Sequence, residues 1–275
     1  MILGYNTNGF AFHRLDDALE IIADLGYRSA AITLDHQALN PYAQGFERGC
    51  EAVRERLDRL GLASVIETGA RFLLDARRKH EPTLISPEAA GRRRRLDFLF
   101  RAIDAAAILA SRAVSFWAGV RQDGVASDDA HHWLIDGLRR LADQADARGV
   151  ALAFEPEPGM LVETLSQAVG VLDAVGHPRL GLTADVGHLW CTGEAPVSEY
   201  LAAVAPRVHN VHIEDMRRGV HEHLFFGDGE MDFDDVVAGL RRLPDATPVH
   251  VELSRHSANA VETARRAMAF LKPFL

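Results

Sequence analysis

The sequence predicts a single domain over residues 1–275, with the α/β fold class of a (β/α)8, or TIM, barrel. Short apolar runs typical of buried strands alternate with longer helical runs from end to end, and there are eight of each. A chain of 275 residues is long enough for this fold and for one large hydrophobic core. The alternative fold is an open doubly wound sheet, which usually carries a Gly-rich phosphate loop after its first strand. The stretch after ILGYN has none.

The predicted strands are short and mostly apolar on both faces, as expected of a parallel sheet covered by helices. They cover residues 2–6, 28–34, 62–67, 112–118, 150–155, 179–185, 208–213 and 247–253. The predicted helices lie near residues 15–25, 46–60, 87–110, 127–148, 161–175, 196–206, 232–242 and 257–272. Some ends are marked: residues 86–88 (SPE) have the order of a helix start, and Gly61 and Gly149 each follow a helical run.

The composition limits the class of protein. The chain is 48% hydrophobic and 25% charged, which is average for globular proteins and excludes a disordered or fibrous one. No apolar run reaches about 18 residues and the N-terminus does not resemble a signal peptide, so we expect no membrane partner. Because there are only two cysteines, we expect a cytoplasmic location. The formal net charge of −9 disfavours a nucleic-acid partner.

One segment departs from the alternation of strands and helices. Residues 69–86 form a long connection after the third predicted strand, and long loops in compact domains are commonly functional or mobile. Basic residues are concentrated from residue 71 to residue 101. Within this stretch, we expect residues 92–95 (RRRR) to form a solvated helix face. Residues 77–79 (RRK) either bind a substrate phosphate or lie in water, and the sequence leaves that open.

Four polar residues stand at the last inward-facing position of the last four predicted strands. Side chains alternate between the two faces of a strand, so the inward positions follow from the sequence. These positions hold Glu155, Asp185, His212 and Glu252. They converge at the C-terminal rim, where barrel enzymes have their active sites, and three carboxylates there repel one another unless a cation or protons intervene. Together with one imidazole, they suit Mn²⁺, Mg²⁺, Co²⁺ or Zn²⁺.

Five short stretches of the sequence carry a family resemblance. They are FEPEP (154–158), TADVGHLW (183–190), NVHIED (210–215), GDGEMDF (227–233) and VELS (251–254). Together they resemble the xylose-isomerase-like barrels, which include sugar epimerases and isomerases such as D-tagatose 3-epimerase, and the related endonuclease IV. The C-terminal half resembles this family well, whereas the N-terminal half matches mainly in its number of strands. The resemblance implies that the four rim residues bind one divalent metal ion and that no organic cofactor is needed.

The resemblance also implies a catalytic role for the two glutamates. In the ketose epimerases, such a pair transfers protons from opposite faces of the substrate, which here assigns Glu155 and Glu252. A cation next to a carbonyl and a hydroxyl oxygen stabilises the enediolate that forms when the α-proton leaves. One carboxylate removes that proton and the other returns one to the opposite face, which inverts the carbon centre.

Further residues near the rim are candidates for substrate binding: His188, Arg217, Glu157, Glu67 and Trp117. By the resemblance, the histidine contacts a substrate oxygen, and Arg217 or its neighbour Arg218 supplies a positive group after the seventh strand. The spacing does not decide between these two arginines. The two glutamates face the rim and can bind sugar hydroxyls, while the tryptophan either stacks on a sugar ring or packs in the core. We expect Asp215 to orient a ligand rather than to bind metal.

Two histidines introduce an alternative site. His221 and His223 occupy the place where endonuclease IV has an Asp-x-His pair that holds an additional zinc, so the resemblance allows a second metal ion here. The other imidazole ligands of that nuclease have no counterpart at the ends of strands two to four, where Glu67 ends the third. His250 is expected to fill a lower layer of the barrel.

The function predicted from these residues is a metal-dependent sugar epimerase or isomerase acting on a keto-sugar or keto-polyol. A lyase of the same family, which dehydrates an inosose or a dehydroshikimate-like compound, shares the enolate step and stays open. A phosphodiesterase like endonuclease IV and a barrel that only binds its ligand are further alternatives. The expected partner is a small carbohydrate. Family members commonly form homo-oligomers, but the sequence carries no clear interface signal.

Overall fold

Eight parallel strands close into a barrel in the computed structural model, which describes residues 1–274. In chain order, residues 1–274 form ten strands, two of them outside the barrel: β1 (Ile2–Asn6), β2 (Ser29–Thr33), β3 (Ala63–Glu67), β4 (Val114–Trp117), β5 (Leu152–Glu155), β6 (Leu180–Asp185), β7 (Val208–Ile213), β8 (Asp215–Arg217), β9 (Val220–Leu224) and β10 (Pro248–Val251). The barrel order is β1-β10-β7-β6-β5-β4-β3-β2, while β8 and β9 form a separate hairpin. The predicted (β/α)8 fold is confirmed.

The helices cover the outside of the barrel. They are α1 (Leu15–Asp24), α2 (Phe46–Leu60), α3 (Ala89–Leu109), α4 (Ser127–Arg148), α5 (Leu165–Val175), α6 (Val186–Thr192), α7 (Val197–Val204), α8 (Phe233–Leu240) and α9 (Ala260–Leu271). The predicted helices agree with these bounds to within a few residues, apart from α6. Gly61 and Gly149 end α2 and α4 in the left-handed conformation, as the sequence indicates.

Two elements at the carboxyl ends of the strands were not expected from the apolar pattern. Helix α6 begins directly after β6, because Oδ1 of Asp185 accepts the backbone N–H of His188 at 2.8 Å and caps the helix. The antiparallel β8–β9 hairpin lies between β7 and α8. Both elements are too short to produce a periodic pattern, and both carry histidines of the candidate site.

One sequence expectation is wrong. Residues 92–95 were expected to form a solvated face, but the side chain of Arg95 is only 1% exposed. Its Nη2 donates to the backbone O of Thr68 at 3.0 Å, and its guanidinium lies 4.4 Å from the ring centroid of Trp117. Successive helix residues are about 100° apart, so four in a row cannot all face solvent when one side of α3 covers the barrel. Arg93 and Arg94 are exposed as expected.

A polar layer lies inside the barrel below the rim. His250 on β10 is fully buried, and its Nδ1 and Nε2 lie 2.8 Å from Oδ1 of Asn210 and Oγ of Ser29, respectively. Gly4 on β1 leaves room for this imidazole, because a Cβ there would lie 2.4 Å from His250 Cδ2 and 2.7 Å from the backbone O of Ser29. The first and last strands of the barrel, β1 and β10, can therefore pack closely here, because Gly4 has no side chain where the His250 ring lies.

None of the helices within residues 1–274 is long and apolar enough to cross a membrane.

Candidate metal centre

A cavity of about 630 Å³ opens at the carboxyl ends of the barrel strands. Its walls come from every part of the barrel, including Asn8 after β1, Trp117 at the end of β4 and the β8–β9 hairpin. The long connection 69–86 contributes Gly69, Arg71 and Lys79, so this segment is part of the site, as its length suggested.

The four predicted metal ligands lie together, and three of them, Glu155, His212 and Glu252, line this cavity. Glu155, Asp185, His212 and Glu252 each offer one ligand atom, and these atoms lie within 4.8 Å of one another. Nδ1 of His212 is 3.0 Å from Oε1 of Glu155, 2.9 Å from Oε2 of Glu252 and 3.9 Å from Oδ2 of Asp185. The structure thus brings together the four side chains that the alternation along the strands selects.

The charges of this cluster are those of a cation site. Burial raises the pKa of Glu155 well above its usual range, even with His212 beside it. Burial works against the imidazolium of His212, but Glu252, Glu67 and Glu155 together raise its pKa well above the usual value. Within residues 1–274, Oδ2 of Asp185 has no hydrogen-bond partner although the residue is only 1% exposed. An unpartnered buried oxygen beside two more carboxylates and one imidazole fits a divalent ion.

Glu67 contacts His212 through the ring nitrogen opposite to the one that faces Glu155 and Glu252. Its Oε1 is 2.9 Å from Nε2 of His212, whose Nδ1 faces the other carboxylates. A carboxylate in this position holds the Nε2–H tautomer and the ring orientation, which leaves the Nδ1 lone pair for a metal ion. Asn8 has a similar relation to Glu252, because its Nδ2 donates to Oε1 at 2.7 Å.

The other candidate substrate residues divide into two groups. His188, Glu157 and Trp117 line the cavity. Burial, followed by the charge of Glu252, raises the pKa of Glu157 to about 7, whereas burial lowers the pKa of His188 to about 4. His188 is therefore neutral near pH 7 and can donate or accept one hydrogen bond to a substrate oxygen.

The arginines after the seventh barrel strand are not at the cavity. Arg217 pairs with Glu222 on the hairpin, and the guanidinium of Arg218 lies 4.3 Å from the ring centroid of Trp190. Both side chains are exposed. In the part of the chain that the structure describes, the arginine and lysine side chains that line the cavity are those of Arg71, Lys79 and Arg255.

The three histidine rings of the hairpin side pack against one another. The ring of His188 lies 4.7 Å from that of His221 and 5.7 Å from that of His223. Each offers a nitrogen within 4.8 Å of the others, so the structure brings the candidate second-metal pair next to His188.

Sequence reasoning did not single out Glu214, whose side chain is fully buried beside Asp185 and His223. The alternation that places His212 inward also places Glu214 inward, two positions further along, but the predicted strand ends at residue 213. Asp215 is not at the metal cluster, and its carboxylate accepts the backbone N–H groups of Met216, Gly227, Gly229 and Met231. It orients the chain at the base of the hairpin.

A model of the xylose isomerase-like TIM barrel family matches residues 19–274. The chain belongs to this family. An L-ribulose-5-phosphate 3-epimerase, UlaE, of Salmonella paratyphi C is 29% identical over 216 residues, which is 76% of this chain and 75% of that protein. Its counterpart in Shigella flexneri is 27% identical over 207 residues, covering 74% of this chain and 72% of that protein.

Solved structures show the same xylose isomerase-like barrel. A D-allulose 3-epimerase from a Methylomonas species has a TM-score of 0.80 at 18% identity, covering 100% of this chain and 98% of that one. The IOLI protein, solved with a bound zinc atom, has a TM-score of 0.79 at 18% identity, covering 100% of this chain and 99% of that one. The curated relatives are named as sugar epimerases, so the predicted enzyme class, an isomerase, is confirmed.

Proposed function

We propose that this chain is a divalent-metal-dependent epimerase or isomerase of a keto-sugar or keto-polyol. The observation that carries the proposal is the pair Glu155 and Glu252, which face one cavity and lie 3.0 and 2.9 Å from the same imidazole nitrogen of His212. Both glutamates are therefore within reach of one small ligand at the cavity floor.

The metal ion would be held by Glu155, Asp185, His212 and Glu252. When bound, it supplies positive charge that stabilises the enediolate formed next to the substrate carbonyl. Each carboxylate has two oxygens, so a glutamate can bind the ion with one and hold or accept a proton with the other.

The glutamates carry the proton transfer. One carboxylate removes the proton from the carbon beside the carbonyl, and the other delivers a proton to the opposite face of that carbon. In the reverse reaction the two glutamates exchange roles, because each proton transfer then runs in the opposite direction. Their environments differ: burial dominates at Glu155 and raises its pKa, whereas at Glu252 the charge of His212 overcomes burial and holds the pKa low. Pairs with unequal proton affinity are typical of acid–base sites.

The side chains around the cavity suit a polyhydroxylated substrate with an anionic end. His188 and Glu157 offer hydrogen bonds to hydroxyl or carbonyl oxygens, and Trp117 forms an apolar wall. Arg71 and Lys79 lie on the connection after β3 and provide positive charge at the same cavity. A ketopentose phosphate is the first substrate to test, because the curated relatives are named for one.

The test follows exchange of a substrate α-proton with solvent deuterium by NMR, using Mn²⁺- or Zn²⁺-loaded protein and L-ribulose 5-phosphate with a panel of free ketoses. We expect exchange and an epimeric product with the wild type, and a loss of about 10²- to 10⁴-fold in Glu155→Gln and Glu252→Gln. Glu55→Gln is the matched control, since Glu55 is exposed on α2.

Two results would contradict the proposal. Unchanged exchange in Glu155→Gln would show that this carboxylate moves no proton. Absence of exchange with every ketose, in a protein shown to hold metal, would remove the epimerase function. A product that has lost water, detected in the same spectra, would instead identify the lyase of the same family.

A further inference from the structure

A buried arginine lies directly behind one wall of the cavity. Arg95 on α3 is 1% exposed, and burial lowers the pKa of its guanidinium to about 10. Within residues 1–274, the guanidinium makes one hydrogen bond, from Nη2 to the backbone O of Thr68 at 3.0 Å, and its Nη1 has no partner. Burying a charge with so few partners is unfavourable, and an apolar side chain of the same length would fill the space more easily. The proton transfer proposed above gives Arg95 no role.

The flat face of this guanidinium lies on an aromatic ring of the cavity wall. Its Cζ is 4.4 Å from the ring centroid of Trp117, at the end of β4, and 5.3 Å from that of Phe98. Trp117 and Thr68 both line the cavity, and Arg95 is buried behind them. One side chain therefore contacts two wall residues that follow or end different strands. It uses a hydrogen bond for one and its flat face for the other, a combination that suits arginine.

His80 completes a closed set of contacts along this wall. Its ring lies 5.3 Å from that of Trp117, edge to face, and its Nδ1 is 2.6 Å from the backbone O of Gly69. Gly69 follows Thr68, whose backbone O accepts the hydrogen bond from Arg95. The contacts thus lead from the arginine to the tryptophan, to the histidine, to the backbone after β3 and back to the arginine. Each member is held from two sides.

This set of contacts fixes the base of the connection 69–86. The backbone N–H of His80 donates to the backbone O of Arg71 at 2.6 Å, so the chain closes a loop between these two residues. Arg71 and Lys79 stand at the two ends of that loop, and both line the cavity. The positive charges on this side of the cavity are therefore placed by the same backbone that Arg95 and His80 hold.

We propose that Arg95 is a positioning residue for substrate binding. It holds the Trp117 ring and the start of the connection 69–86 in one arrangement, and it thereby sets the positions of Arg71 and Lys79 for an anionic group on the substrate. Arg95 itself touches neither the substrate nor a metal ion. The effect on the substrate rests on the proposed function, whereas the effect on the wall is present without any substrate.

Two simpler roles compete with positioning. If Arg95 acted only through its charge, another positive side chain would replace it, and if it only filled space, an apolar one would. Arg95→Lys keeps a charged donor but has no flat face for the indole, while Arg95→Met keeps the length but cannot donate to Thr68. Positioning requires that both substitutions disturb the wall. Arg94→Lys and Arg94→Met are the matched controls, because Arg94 is the exposed neighbour on α3.

The first measurement is hydrogen–deuterium exchange of the full chain without substrate, read by mass spectrometry of peptides. In both Arg95 variants we expect the amides of residues 69–86, including that of His80, to exchange about tenfold faster, because the lost contacts make local opening easier. Peptides of α9 should keep the wild-type rate, since this helix follows β10, across the barrel from β3 and β4. The Arg94 variants should match the wild type throughout.

The second measurement separates positioning from a general structural role. With L-ribulose 5-phosphate and metal-loaded protein, we expect KM to rise about tenfold in Arg95→Lys and in Arg95→Met, because binding of the substrate is weakened. The value of kcat should stay within about twofold, since Glu155 and Glu252 are unchanged. The zinc dissociation constant should equal that of the wild type, and the Arg94 variants should keep all three values.

Three results would overturn the proposal. Wild-type exchange and KM in Arg95→Met would show that Arg95 only fills space. Wild-type values in Arg95→Lys, with a disturbed Arg95→Met, would show that a positive charge is sufficient. Faster exchange in α9 as well, together with weaker zinc binding, would assign Arg95 to the stability of the whole barrel.

The exchange measurement also decides when kinetics cannot. If the wild type turns over no ketose, the proposed function fails, and the exchange of residues 69–86 alone tests the positioning role of Arg95. If neither Arg95 variant folds, Trp117→Leu removes the ring on which the guanidinium lies, and we expect the same faster exchange of residues 69–86. Unchanged exchange in Trp117→Leu would overturn the proposal.

Discussion

The two halves of the barrel contribute differently to the site. The second half, from β5 to β10, supplies the four proposed metal ligands, including Glu155 and His212. The first half supplies groups that contact those ligands from behind: Asn8 donates to Glu252, and Glu67 lies against His212. One half therefore carries the reactive groups and the other holds them in position. Residues of the first half should act on the site without touching a metal ion.

The strongest expected effect concerns Gly4 on β1, in the first half, which leaves room for the His250 ring of the second half. In Gly4→Ala, the new Cβ meets the His250 ring at 2.4 Å and the backbone O of Ser29 at 2.7 Å. Because a backbone atom is involved, the contact cannot be relieved by a side chain alone, and we expect a loss of about 3 kcal/mol in the free energy of unfolding. Urea denaturation measures it.

Gly170→Ala is the control for this substitution. Gly170 lies in α5 with nothing within 4 Å of its would-be Cβ, so alanine should stabilise the helix by about 0.5–1 kcal/mol. If Gly4→Ala and Gly170→Ala change the free energy of unfolding equally, the close approach of β1 and His250 does not contribute to stability. The first half of the barrel would then not be needed to make room for this ring.

The next expected effect concerns Glu67 as a positioning residue. Glu67→Gln keeps the size of the side chain but removes the charge that holds the Nε2–H of His212, and we expect metal affinity to fall about 10- to 100-fold. Zinc or manganese titration measures the dissociation constant directly, without any substrate. A purely substrate-binding role for Glu67 would instead raise KM and leave metal affinity unchanged, and Glu55→Gln should change neither.

The smallest expected effect concerns acid stability of the connection 69–86. Burial lowers the pKa of His80 from 6.5 to about 4, and its Nδ1 lies 2.6 Å from the backbone O of Gly69. Between these pH values the unfolded chain binds more protons than the folded one, so stability falls as pH decreases from about 6.5 to about 4. For this half-buried ring we expect a loss on the order of 1 kcal/mol.

His80→Asn isolates this contribution, because asparagine tolerates the positive φ of 68° at this position. The variant should lose less stability than the wild type between pH 6.5 and pH 4, as followed by urea denaturation at each pH. Identical pH profiles of the two proteins would show that His80 does not titrate in this window.

Much of the fold and of the metal cluster follows from local sequence. Alternation along a strand has a period of two, so the last inward position of each strand follows from its own apolar pattern. On β5, β6 and β7 these positions hold Glu155, Asp185 and His212. The path of a loop has no such period. Arg217 therefore lies outside the cavity while Arg71 lines it, and no local pattern distinguishes the two. Arg95 shows the same limit, because its burial depends on Trp117, which is distant in sequence.

Asp215 separates the part of the site that can vary from the part that cannot. Its carboxylate holds both ends of the hairpin segment through backbone N–H groups, and Gly229 must stay small because a Cβ there would lie 2.2 Å from Oδ1. Backbone groups are present whatever the side chains are, so the exposed turn at residues 217–220 can change without loosening this anchor. The turn is thus a natural place to graft new sequence, next to His221 at the cavity wall, while the barrel frame is inherited unchanged.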